Sequence, residues 1–141
     1  MSELKSRLTI DLLARSHLSE DTLAQGDHDR IVSELFQLSR IRLPTMGLRV
    51  LENLECLGRV THLYLAGNEL ESLDGIECLV DLRVLDVAGN RLVSVGELSL
   101  LQHLMWADLA DNKISELPSL PPRLAFLRIR GNPCMSYPSF A

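Results

Sequence analysis

Between Val60 and Ile114 the apolar residues fall in a fixed order that returns every 22 residues. The lines VTHLYLAGNELESLDGIECLVD, LRVLDVAGNRLVSVGELSLLQH and LMWADLADNKI share the pattern L-x-x-L-x-L-x-x-N-x-L. Val60, Leu82 and Leu104 open them, and Asn68, Asn90 and Asn112 hold the ninth place. Leu63-Tyr64-Leu65 and Leu85-Asp86-Val87 alternate with period two, which predicts a short strand in each line. Such a strand cannot stand alone. Stacked on its neighbours, it joins a parallel sheet over one apolar column. The Asn follows the strand, where the chain must turn, and its amide can bond backbone groups that the turn leaves unpaired. Beyond it runs a rhythm of three, Leu70, Leu73, Ile76, Leu79 and then Leu92, Val95, Leu98, Leu101. That spacing predicts 3₁₀ turns or short helices on the convex side, with the sheet on the concave side.

The flanks are less regular. Residues 1–37 precede the repeats and are read as an N-terminal helical extension and cap. Leu4, Leu8, Leu12, Leu13 and Leu18 have helical spacing, predicting a helix over about 3–15. Ser19-Glu20-Asp21 and Gln25-Gly26-Asp27 read as breaks. Asp27 is placed to cap a second helix over about 28–36. The repeats occupy 38–132. The first is degenerate, with Met46 in place of the Asn and Pro44 just past its strand, as suits a sheet edge. The fourth, from Leu104, is shorter, and Pro118, Pro121 and Pro122 predict an extended return. The fifth supplies a last strand and Asn132. Residues 133–141, PCMSYPSFA, form a short tail without side-chain charge. Either it folds under the last repeat or the open edge meets another chain.

Composition narrows the function classes. A net charge of −5 and a pI of about 5.3 disfavour a partner recognised through its phosphate backbone. No apolar run reaches membrane-span length. The N-terminus lacks a signal-peptide core, no Asn opens a glycosylation sequon, and the three cysteines are odd in number. Together these point to a reducing, cytoplasmic setting.

The strand positions that should face the concave side form three columns. The third place holds Arg40, His62, Val84, Trp106 and Phe126. The fifth holds Arg42, Tyr64, Asp86, Asp108 and Arg128. The seventh holds Pro44, Ala66, Ala88, Ala110 and Arg130. These side chains are expected to be solvent-exposed. Three of the six aromatic residues fall here, among them the single Trp. Exposed aromatics with Arg make up the composition of a protein-binding hot spot. Five strands span roughly 20 Å, enough for a helix or an extended segment. Arginines at both ends bracket Asp86 and Asp108, so the surface reads as bipolar.

Other constellations are weak. Cys56 and Cys78 share a place in successive repeats, but no C-x-x-C or clustered His accompanies them, and the role of Cys134 is open. His17, His28, His62 and His103 form no triad or ligand set. Asp86 and Asp108 lie side by side without a cleft or nucleophile. No metal, cofactor, small-molecule substrate or catalytic residue is expected.

The L-x-x-L-x-L-x-x-N-x-L frame is identified as that of the leucine-rich repeat. The resemblance implies an α/β solenoid of about five repeats acting as a non-catalytic protein-interaction scaffold. The 22-residue class resembles the leucine-rich regulatory subunit of protein phosphatase 1 and a group of cilium and flagellum proteins. Leu8 to Arg15, read as Thr-x-x-Leu-Leu-x-Arg ahead of the repeats, is similar to the start of short axonemal leucine-rich proteins. So is the proline-containing return before the last strand. That likeness implies a structural or adaptor subunit of a ciliary or flagellar complex, such as a radial spoke or dynein-associated assembly. The alternatives are a phosphatase-binding subunit and, from LPSLPPRL, a recognition module like those of bacterial effectors.

Overall fold

The computed structural model describes residues 7–136. Among the described residues three helices lead: α1 (Ile10–His17), α2 (Glu20–Gln25) and α3 (His28–Phe36). Five strands follow: β1 (Arg40–Arg42), β2 (His62–Tyr64), β3 (Val84–Asp86), β4 (Trp106–Asp108) and β5 (Phe126–Arg128). They form one parallel sheet in sequence order. Each strand pairs with the next in the register of the repeat, so Tyr64 lies beside Asp86 and Trp106 beside Phe126. The returns are 3₁₀ turns at Leu54–Cys56, Ile76–Cys78 and Gly96–Leu100, while the proline-bearing return has no regular element.

The inward leucines explain the stack. Leu63, Leu65, Leu85, Val87 and Leu109 are fully buried beneath the sheet, and Leu73, Ile76 and Leu98 meet them from the return side. Leu8, Leu13 and Leu35 join the same core, so the leading helices close its first end. A side chain the size of Leu contributes about 1.5–3 kcal/mol when fully buried, and here each repeat adds several.

The Asn ladder links the repeats through polar groups. Asn90 Nδ2 donates to Leu65 O at 3.0 Å and to Val87 O at 2.9 Å, while its Oδ1 accepts from Leu70 N–H at 3.0 Å. Asn112 and Asn132 repeat the arrangement, accepting from Leu92 and Ile114. Asn68 accepts from both Met46 N–H (2.8 Å) and Leu48 N–H (3.1 Å). The missing Asn of the first repeat is therefore tolerated, because each Asn serves the repeat before it.

The residue at the eighth place of each repeat, ahead of the Asn or of Met46, lies in the left-handed region. Thr45, Gly67, Gly89, Asp111 and Gly131 have φ of 51°, 73°, 68°, 56° and 75°. Glycine at three of these five places avoids the Cβ penalty of that conformation.

The leading segment differs from its sequence reading. The expected helix over about 3–15 is not continuous, because residues 7–9 lie outside any helix. Arg7 bridges in parallel to Val50, Leu8 lies outside any helix and is fully buried, and α1 begins after the extended Thr9, whose hydroxyl accepts from Leu12 N–H at 3.0 Å. Leu8 reaches the core from that non-helical position, and Asn53 Nδ2 donates to its carbonyl at 2.8 Å. Leu4 lies outside the described residues. Ser19 caps α2, accepting from Thr22 N–H, so it starts a helix where a break was expected. The expected Asp27 cap is present on α3, at 2.9 Å from Arg30 N–H. The tail from 137 onward also lies outside the described residues.

Candidate functional site

Strand geometry places the three columns on the outer face of the sheet. In β1 and β2 the middle residue, Ile41 or Leu63, is buried while its neighbours face outward. Trp106 and Phe126 are paired in register across β4 and β5. Their rings are stacked, 5.2 Å between centroids and 5° between planes. Phe126 is 40% exposed and Trp106 half-buried. Stacked in this way on an open surface, the two rings form one apolar patch that water solvates poorly.

The other end of the face is cationic and aromatic. The Arg42 guanidinium sits 4.7 Å from the centroid of Tyr64, and the His62 ring lies 6.2 Å from the Tyr64 ring. Thr61 Oγ1 and His62 Nδ1 are 2.8 Å apart. Burial, reinforced by Arg40, Arg83 and Arg42, holds the His62 pKa below its usual value. Arg40 and Arg42 are exposed, and Val84 is half-buried between the aromatic groups.

The middle of the face is less acidic than its sequence suggests. Asp86 and Asp108 each turn a carboxylate oxygen onto the N–H two residues ahead, of Ala88 and Ala110, both at 3.1 Å. Asp108 Oδ2 also meets Arg128 Nη1 at 3.4 Å. The expected exposure fails at Asp108, which is only 6% exposed, and at Ala110. A short acidic side chain two residues before an unpaired N–H folds back on its own turn and is shielded by the Arg of the next strand. Asp86 stays half-exposed. Burial raises its pKa and the nearby Asp108 adds to the shift, while the Ala88 hydrogen bond opposes it. At the far end Arg128 and Arg130 are exposed.

His17 was outside the expected site, yet it touches the sheet. Its Nε2 accepts from Arg42 N–H at 2.9 Å, and Nδ1 lies 3.0 Å from Leu13 O. Sequence offers no signal for a contact 25 residues apart. Cys56 is half-buried, with its thiol pKa pushed up by burial and by Glu55. Cys78 is exposed and Cys134 fully buried. Among the described residues no cluster of three or more His, Cys, Asp or Glu is placed to hold a metal, and no helix is long and apolar enough to cross a membrane.

Comparison with known proteins bears on the fold. Residues 59–104 match the family model for leucine-rich repeats in two copies. No curated protein matches the sequence significantly. Among solved structures, the chain is similar to an internalin (inlF) from Listeria monocytogenes, with a TM-score of 0.61 and 17% identity over 72% of this chain and 37% of that one. It is also similar to the functional domain of InlJ from Listeria monocytogenes, which includes a cysteine ladder. There the TM-score is 0.63 and the identity 21%, over 72% of this chain and 22% of that one. The chain spans well under half the length of either. The repeat frame, the five-stranded parallel sheet of the described residues and these likenesses give this chain a leucine-rich repeat fold.

Proposed function

We propose that the chain is a non-catalytic protein-interaction scaffold whose concave face takes a helix or an extended segment of a partner. The carrying observation is the stacked Trp106–Phe126 platform on an open sheet face. Tyr64, Val84 and His62 extend that platform toward Arg40 and Arg42, and Arg128 and Arg130 flank it at the other end. Aromatic residues with arginine supply large contact area at low entropic cost, as interface hot spots do. The reading is tested by Trp106→Ala with a captured partner. The variant should keep its fold and lose about 2 kcal/mol or more of binding, roughly thirtyfold in affinity. Unchanged affinity in a folded variant would remove Trp106 from the site.

The finer assignment to a ciliary or flagellar axonemal complex rests on sequence resemblance in Leu8 to Arg15 and in the proline-bearing return, and the cytoplasmic location rests on composition and cysteine usage. Thr9 and Leu13 in that stretch also have plain structural work, as a helix cap and a core residue. The likeness of the solenoid to two internalins favours, as a second reading, a recognition module of bacterial type. Which proteins co-purify with the chain separates the two.

A further inference from the structure

Each strand of the sheet presents the same backbone groups to its successor. The N–H at the sixth place donates forward, from Leu65 to Asp86 O at 2.7 Å, Val87 to Asp108 O at 3.0 Å and Leu109 to Arg128 O at 2.7 Å. The N–H at the eighth place does the same, from Gly67 to Ala88 O, Gly89 to Ala110 O and Asp111 to Arg130 O. The carbonyl at the second place accepts, Thr61 O from Val84, Arg83 O from Trp106 and Met105 O from Phe126. In the fifth repeat the corresponding groups are the N–H groups of Ile129 and Gly131 and the carbonyl of Ala125. Among the described residues none of the three has a partner, and β5 is the last strand of the sheet. The core also thins there. Leu124, Leu127 and Ile129 are half-buried, whereas Leu104, Ala107 and Leu109, their counterparts one repeat earlier, are fully buried.

We infer that the outer edge of β5 takes an extended acidic segment of another protein as a sixth strand. Its backbone would accept from Ile129 and Gly131, as every earlier strand accepts from its predecessor. Its apolar side chains would cover Leu127 and Ile129. Its carboxylates, at alternate positions, would face Arg128 and Arg130, which stand exposed on the same strand end of a chain that is acidic overall. The donors and the cations call for the same thing, an anionic strand rich in acceptors. A second copy of the chain fits poorly. Its β1 edge is engaged by His17, and two β5 edges would set Arg128 and Arg130 against their own copies. This edge adjoins the concave face and shares Arg128 with it, but does not depend on the aromatic platform.

The probe is a short capped peptide alternating valine and glutamate, compared with its valine–lysine counterpart, titrated into the whole protein. Backbone amide exchange is read at Ile129 and Gly131. The glutamate peptide should slow exchange at both amides, and the lysine peptide should not. Arg130→Glu, which breaks no ion pair of the described structure, should weaken the glutamate peptide about tenfold and admit the lysine peptide. Trp106→Ala should leave peptide binding unchanged, which separates this edge from the concave site. Failure of the glutamate peptide to protect either amide would overturn the inference. So would protection in the free protein that is lost on deleting residues 137–141, which would make the tail the occupant. Protection that grows with protein concentration alone would assign the edge to a second copy.

Discussion

The backbone N–H of Arg42 donates to Nε2 of His17 across 2.9 Å. The outer edge of β1 is thus engaged by a side chain from α1. With Nε2 accepting, the ring proton sits on Nδ1 and donates to Leu13 O at 3.0 Å, so one imidazole ties the C-terminal turn of α1 to the edge strand. His17→Ala should speed amide exchange at Arg42 more than at Tyr64, and should cost about 1 kcal/mol, the net worth of an ordinary hydrogen bond. His17→Gln, whose amide oxygen can also accept, should recover part of the protection. Equal exchange rates in wild type and His17→Ala would mean that the contact is not held in solution.

The Asn ladder should be costly to break. Asn90→Ala removes an acceptor from Leu70 N–H and a donor from Leu65 O and Val87 O, all in a buried turn. Asn68 and Asn112 still donate to those two carbonyls, so Leu70 N–H is the group left orphaned, and a loss of about 1–3 kcal/mol is expected by denaturant unfolding. A loss below about 1 kcal/mol would indicate that water or a neighbour takes over those bonds.

Gly89 isolates the conformational demand of the turn. A Cβ there would meet only Gly67 N and Cα, at 3.6 and 3.7 Å, which is ordinary contact, while φ is 68°. Gly89→Ala should therefore cost about 1–2 kcal/mol from the left-handed backbone alone. Thermal unfolding of the variant measures it, and an unchanged midpoint would show that the turn can relax.

Asp86 gives the acid side of the stability curve a definite sign. Burial raises its pKa above the usual 3.8, with Asp108 adding to the rise. The native state then binds the proton more tightly than the unfolded chain does. Stability contributed by this site falls as pH climbs from about 3.8 through the raised value, and is regained on acidification. Asp86→Asn keeps an oxygen for Ala88 N–H and removes the charge. It should gain on the wild type at pH 7, and the gain should shrink toward pH 3.8. A difference independent of pH would place the Asp86 carboxylate in solvent.

The repeat frame was legible because each place in it asks for one kind of residue. Leu85 must fill the column, Asn90 must bond three backbone groups, and Gly89 must turn left-handed, so sequence and geometry coincide there. The leading helices were harder. Ser19 looks like an interruption in sequence, yet its hydroxyl starts α2, and Leu8 has helical spacing but enters the core from outside any helix. Caps and breaks use the same residues, and only tertiary packing separates them. At the site, the alternation of the strands assigned Trp106 and Phe126 to one face, but ring stacking depends on rotamers that spacing does not specify. The burial of Asp108 was hidden for a related reason. It follows from a turn two residues ahead and from Arg128 on the next strand, 20 residues away.

The central claim is that the concave aromatic face is where a partner binds. The most direct measurement compares proteins captured from native extract by the intact chain and by a Tyr64/Trp106/Phe126 triple alanine variant, with matched folding shown by circular dichroism. The account predicts that the variant loses a small, reproducible set of partners that the intact chain retains. Capture of the same set in the same amounts by both would contradict it and move the interface off the concave face.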